Sequence, residues 1–303
     1  MANTLTNVNT VKVYSECLSA LKVMLEPLNI FSVQYDSTPG AIGETVRVPV
    51  ISAQSASTGV TDYESGDGSA VSVAVSITTN YARSNHLTAV QASQTQTDAF
   101  KKWMMEGMYS IASGILTGTQ NLITTAFTNS KTVGAATAMD ADMLLDIRKD
   151  CVTTLKFRAM EGINVVLDAA YYGNLLKDPA IRDRSASGVD AGVSGAVARW
   201  AGMNIRESVT LSGADPYAAP GTGAYLRGFA CVPSAIGITV RPPKILDDRP
   251  WLSIENVVDP ETGIGFQVRT WVAPKTNTLW GCVETLFGGA RVNTAALYRL
   301  ISQ

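Results

Sequence analysis

Two stretches of the chain alternate apolar and polar residues almost without interruption. In "ETVRVPVI", Val46, Val48 and Val50 point one way while Thr45 and Arg47 point the other. In "AVSVAVSITT", Val71, Val73, Val75 and Ile77 alternate with Ser72, Ala74, Ser76 and Thr78. A period of two marks a strand that is wet on one face. Between them lies "SAQSASTGVTDYESGDGS", rich in Ser, Thr and Gly and acidic at Asp62, Glu64 and Asp67. The pattern therefore predicts a long hairpin with an acidic tip. Pro49 has no N–H to give a ladder, which places its strand at an edge. A two-stranded ribbon is barely stable alone in water, so its valine face needs a partner surface. That surface belongs either to the rest of this chain or to another copy of it.

Elsewhere the period is helical. Thr10 caps a first stretch in which Tyr14, Cys17, Leu18, Leu21, Met24, Leu25 and Leu28 share a face, and Glu26-Pro27 ends it. Thr97 and Asp98 open a long helix with the stripe Phe100, Trp103, Met104, Met108, Ile111, Ala112, Ile115 and Leu116. Gly114 and Gly118 weaken its end, and a second helical piece runs through Leu122, Ile123, Ala126 and Phe127. After a loop, Asp140 caps a helix carrying Met143, Leu144, Ile147, Cys151 and Leu155. "INVVLDAAYYGNLLKD" reads as a buried strand and then a helix capped at Asp168. "SASGVDAGVSGAVARWAG" reads as a glycine-rich loop with a short helix, "MNIRESVTL" as a strand, and "SGADPYAAPGTG" as a connection. "AYLRGFACVP" is a strand leading into a helix, "PSAIGITV", with Pro233 in its first turn. The end is again of period two. In "DPETGIGFQVRTWV", Phe266, Val268 and Thr270 alternate with Gln267, Arg269 and Trp271; the chain breaks at Pro274 and resumes as "LWGCVETLFGGARV". The order predicts an α+β fold, with a mixed domain inserted before a closing antiparallel sheet.

Composition narrows the chemistry. The chain has 303 residues, 46% hydrophobic and 17% charged, which is a folded protein with a sizeable core. A formal net charge of −2 argues against a broad basic surface for nucleic acid. No apolar run is long enough for a transmembrane helix, and "MANTLTNVNTVKV" lacks the order of a signal peptide. Cys17, Cys151, Cys231 and Cys282 are isolated and read as buried, reduced thiols. "GVSGA" at Gly192 to Ala196 lacks the second glycine of a nucleophile elbow, and the only histidine, His86, lies upstream of it. His86 reads as a structural hydrogen-bonding side chain. "GTG" at Gly221 is a turn without a full GxGxxG or a Walker lysine, and no His or Cys pair has metal-ligand spacing. Asp247-Asp248-Arg249 reads as a solvated turn. Trp251, Trp271 and Trp280, with few basic neighbours, read as core or interface packing. No catalytic, cofactor or metal site is expected.

With catalysis set aside, the order of segments resembles one family. An N-terminal arm, a one-sided hairpin, a long spine helix, a mixed insert and a closing sheet are similar to the major capsid protein of tailed bacteriophages, the Hong Kong 97-type fold. "GETVRVPV" resembles that family's entry into its extended loop, and "GAVARWAGMNIRES" a segment of its axial domain. "VDPETGIGFQVRTWV" and "ETLFGGARVNTAALYRL" resemble its closing strands.

The resemblance implies an arm at 1–43, an extended loop at 44–85, a peripheral domain at 86–160 and 242–303, and an axial domain at 161–241. It implies a shell of pentamers and hexamers, made in the host cytoplasm, that encloses double-stranded DNA without sequence-specific binding. Portal, decoration and separate scaffolding proteins are implied partners, and a membrane is not. The extended loop would lie over a neighbouring subunit, making Val46, Val48, Val71, Val73 and Val75 candidate contacts. Apart from the resemblance, the acidic tip at Asp62, Glu64 and Asp67 reads either as an electrostatic contact with Arg182 and Arg184 of an adjacent copy or as a solvated tip. Axial loops "SASGVDAGVSG" and "SGADPYAAPGTG" would ring the five- and six-fold axes. Some family members join a loop lysine to an asparagine with help from a glutamate. Asn277 and Glu284 are of the right types, yet no lysine lies between Lys22 and Lys101, so noncovalent contacts are expected. An encapsulin-type compartment, which shares the fold, is the alternative; a cytosolic enzyme is the third reading.

Overall fold

A computed structural model describes residues 26–35, 38–51, 70–93, 97–154, 162–182, 197, 199–208, 210–211, 225–245, 251–258 and 263–302. Their strands form two six-stranded sheets and one separate ribbon. The first sheet contains β1 (Ser32–Tyr35), β4 (Thr79–Thr88), β10 (Ile236–Arg241), β11 (Trp251–Val258), β12 (Gly265–Ala273) and β13 (Thr278–Arg291). The second contains β5 (Ser130–Thr132), β6 (Ile163–Asp168), β7 (Arg199–Trp200), β8 (Met203–Ser208), β9 (Tyr225–Cys231) and β14 (Leu297–Ser302). The ribbon is β2 (Thr45–Ile51) with β3 (Ala70–Ser76), antiparallel from Thr45↔Ser76 to Ile51↔Ala70.

The 14-residue strand β13 organises the first sheet. One of its edges pairs first with β12 and then with β10, and the other runs along all of β4. The "DPETG" stretch ends at Gly263, whose φ of +68° suits a residue without a Cβ, and β12 follows. After Pro274 the turn back into β13 uses Asn277 at φ +48°, a conformation that Asn tolerates better than most residues.

The helices are α1 (Ala89–Ser93), α2 (Thr97–Gln120), α3 (Ala141–Lys149), α4 (Ala169–Leu175) and α5 (Pro179–Arg182). The long helix α2 buries Phe100, Met104, Met108, Ile111, Ala112, Ile115 and Leu116 against the first sheet, whereas Trp103 is 40% exposed. Gly114 and Gly118 do not weaken it. A Cβ at either would lie 2.8–2.9 Å from Tyr81 on β4, so their bareness lets the helix settle on the strand. Asp140 caps α3 as its position predicts, accepting from the Met143 N–H at 2.8 Å. Asp168 precedes α4 but makes no cap bond, because its carboxylate is paired with Arg227 at 3.5 Å.

Several expectations are corrected. Residues 121–127 form turns, not a second helical piece. "PSAIGITV" gives only a 3-10 turn at Pro233–Ala235 and then β10, whose branched Ile236, Ile238, Thr239 and Val240 are held between β1 and β13. Pro27 lies inside a 3-10 helix, Glu26–Ile30, that delivers the chain to β1; residues 10–25 of the first expected helix are outside the described residues. The strands do not segregate at residue 241. β10 joins the first sheet and the C-terminal β14 joins the second, so both sheets share one contiguous apolar core.

Candidate assembly surface

The ribbon register places three valine pairs on one face: Val46↔Val75, Val48↔Val73 and Val50↔Val71. Pairs of branched residues across strands stabilise a ribbon and stiffen its surface. The other face is polar, where Arg47 donates to Ser72 Oγ at 3.2 Å. Burial falls steeply along the apolar face. Val75 is 1% exposed, Val46, Val48 and Val73 are half-buried, and Val71 is 61% exposed.

The expectation that the whole face awaits a neighbour is therefore corrected at its inner end. Val75 packs within its own chain, close to Gly237 of β10, where an added Cβ would meet Val75 at 3.4 Å and Val48 at 3.7 Å. A cleft of about 350 Å³ lies beside it, lined by Val33, Val46, Val48, Val75 and Ile238 among others. From Val73 outward the face leaves the subunit.

The root of the ribbon is fixed by residues that pattern reading missed. Glu44 pairs with Arg241 at 2.5 Å and accepts the Ile77 N–H on its backbone oxygen at 2.9 Å. Gly43 N–H donates to Ile77 O at 2.8 Å, and Thr78 N–H to Phe287 O at 3.2 Å. Ile77 itself is fully buried. A Cβ at Gly288 would lie 2.4 Å from Ser76 O, so β3 crosses β13 at backbone contact. The Gly288-Gly289 pair inside a strand pattern was a legible signal of such an approach. The ion pair was not legible, since its members stand 197 residues apart.

Of the acidic-tip contacts, Asp62, Glu64, Asp67 and Arg184 lie outside the described residues, as do both axial loops. Arg182 ends α5 on the surface.

On the face of the first sheet turned away from α2, aromatic residues fall into one row. The register sets His86 beside Trp280 and Trp280 beside Trp271, and places the backbone of position 251 opposite Trp271. His86 and Trp280 stack with centroids 4.7 Å apart, and Trp280 and Trp271 lie 6.0 Å apart within 9° of parallel. Next along this face, Glu284 is buried and ion-paired with Arg269. That pairing and the turn role of Asn277 give both residues structural accounts.

Nothing among the described residues groups ligands for a metal. Cys151, Cys231 and Cys282 are buried free thiols; burial, the Asp150 carboxylate adding to it, pushes the Cys151 thiol up to about 12. A cleft of about 420 Å³ beside Asp140, Asp142 and Asp178 uses two of these acids as caps, for the Met143 N–H and for the Ala141 and Ala180 N–H groups. No described helix is long and apolar enough to cross a membrane.

No family model and no curated protein sequence matches the chain. Solved structures do match it. The capsid of the cyanophage P-SCSP1u superimposes with a TM-score of 0.61 at 14% identity, over 90% of this chain and 86% of that one. The mature capsid of bacteriophage PhiM1 gives 0.57 at 13% identity, over 91% and 86%. The virus-like particle from Pyrococcus furiosus gives 0.52 at 9% identity, over 94% and 98%. At such identities the likeness is one of fold.

Proposed function

We propose that this chain, which has the Hong Kong 97-type fold, is a major capsid protein that self-assembles into a closed shell around double-stranded DNA. One observation carries the reading: the likeness in fold to phage capsid chains spans nine-tenths of the sequence. The ribbon supports it. A subunit that anchors the root of a valine face and leaves Val71 in water has built a contact for something outside itself. In this reading Val46, Val48, Val71 and Val73 reach a neighbouring copy, Val75 holds the ribbon's root, and Asp62, Glu64 and Asp67 meet Arg182 and Arg184. The arm is 1–43, the extended loop 44–85, the axial domain 161–241 and the remainder peripheral, with β10 crossing to the peripheral sheet and β14 to the axial one. Pentamers and hexamers, a portal, scaffolding and decoration proteins, and a place in the virion follow from the same reading. The role is structural and not enzymatic.

Electron microscopy of the purified protein tests this. Closed particles or capsomers are expected. A chain that stays monomeric at every concentration and salt would overturn the reading. Native particles filled with enzyme in place of DNA would move the chain to the encapsulin-type alternative.

A further inference from the structure

The first sheet ends in two long strands whose outer edges carry no partner strand among the described residues: β4, ten residues, and β11, eight. Long open edges are templates for pairing with another chain unless they are blunted or covered. We infer that β11 of one copy pairs edge to edge with β4 of the next, so that the sheet runs on from subunit to subunit. This rests on the shell reading and adds to it a specific, backbone-mediated contact between copies.

Three observations point the same way. First, strand direction permits it. β4, β13, β12 and β11 alternate antiparallel throughout, so β4 and β11 run oppositely, and setting one copy's β11 beside another's β4 continues the alternation. Second, the aromatic row spans the sheet from one open edge to the other. It starts at His86 on β4 and ends at the Trp251 position on β11, so the junction that continues it sets Trp251 opposite the next copy's His86.

Third, that register brings opposite charges together. β11 carries a bulge between Trp251 and Ser253. Keeping it across the junction pairs Ser253 with Asn85, Ile254 with Ser84, Glu255 with Arg83 and Val258 with Asn80, all within β4. Faces agree as well. Glu255 stands opposite core-facing Val268, while Arg83 lies against Gly107 of α2, so both are on the helix side. An acid directly opposite a base favours this register over a slip of one, which would also turn every side chain to the wrong face. The contact joins two different edges and is heterologous, so it closes a ring or propagates.

Two experiments on the full-length protein test the junction. Within one chain β4 and β11 are three strand spacings apart, about 14 Å, beyond the reach of roughly 7 Å between the Cα atoms of a disulfide. A variant with Asn80→Cys and Val258→Cys, neither opposite a native cysteine, should therefore form reductant-sensitive multimers in assembled particles under mild oxidation. Neither single variant should do so. Separately, Glu255→Arg or Arg83→Glu should each raise the concentration needed for assembly roughly two- to fivefold per contact. Combining them should restore it. Particles that assemble with no multimer in the double-cysteine variant, or with a threshold blind to both charge reversals, would overturn the edge pairing and leave the shell reading standing. If the double-cysteine variant does not assemble, the charge reversals decide. A chain that forms no particles without any substitution would remove the shell reading and this inference together.

Discussion

Val75 and Val71 share one face of one strand and stand at opposite ends of its burial, 1% against 61%. Burying a valine contributes about 1.5–3 kcal/mol, and a charge in its place costs more because it cannot stay solvated. Val75→Asp should therefore lower the melting temperature of the isolated subunit. Val71→Asp should leave melting unchanged and stop particle formation; equal effects of the two on melting would contradict the division between root and reach. Gly288 sets a second test. Any side chain there drives into Ser76 O, so Gly288→Val should cost about 1–3 kcal/mol in denaturant unfolding and weaken assembly by shifting the ribbon. Cys151 sets a third. Its thiol is raised from 9.0 to about 12, so the folded chain holds a proton that the unfolded chain gives up above pH 9. That contribution to stability is intact below pH 9 and is lost as pH rises toward 12. Cys151→Ala should flatten the fall of stability across this window, and an unchanged slope would show that the thiol does not ionise on unfolding.

At the scale of elements, the ribbon is a lever with a fixed root. Glu44–Arg241, the Ile77 bonds and the Gly288 crossing hold its base, and none of them involves residues 52–69. Replacing residues 54–69 with a two-residue turn should therefore spare cooperative melting, followed by circular dichroism, and abolish particles. Loss of cooperative melting would show that the subunit core depends on the tip. The valine alternation made this element legible from sequence, because period two needs only neighbours along the chain. What alternation could not convey was where the face stops being buried, which depends on Gly237 and β10, far away in sequence. The same limit explains β10 itself. Pro233 looked like the first turn of a helix, but the branched run after it was decided by two flanking strands. Gly114 and Gly118 looked like weak points for the same reason: the Tyr81 ring that needs their space lies on another element. The aromatic row was visible only as three scattered tryptophans until the register aligned them.

For the whole molecule, one core joins both sheets, so the subunit should unfold as a unit and present its surfaces in fixed relation. Assembled particles boiled in detergent should run as a single band near 32.1 kDa, since the loop has no lysine to join to a neighbour. Bands surviving reductant would show a covalent link between copies. Many weak contacts closing together make assembly steep in concentration, which gives the central claim its most direct measurement: sedimentation velocity of the purified chain across a concentration series. The account predicts a slow species near 32.1 kDa, or a capsomer, that gives way above a threshold to one fast boundary of uniform large particles. A single slow boundary at every concentration would contradict it.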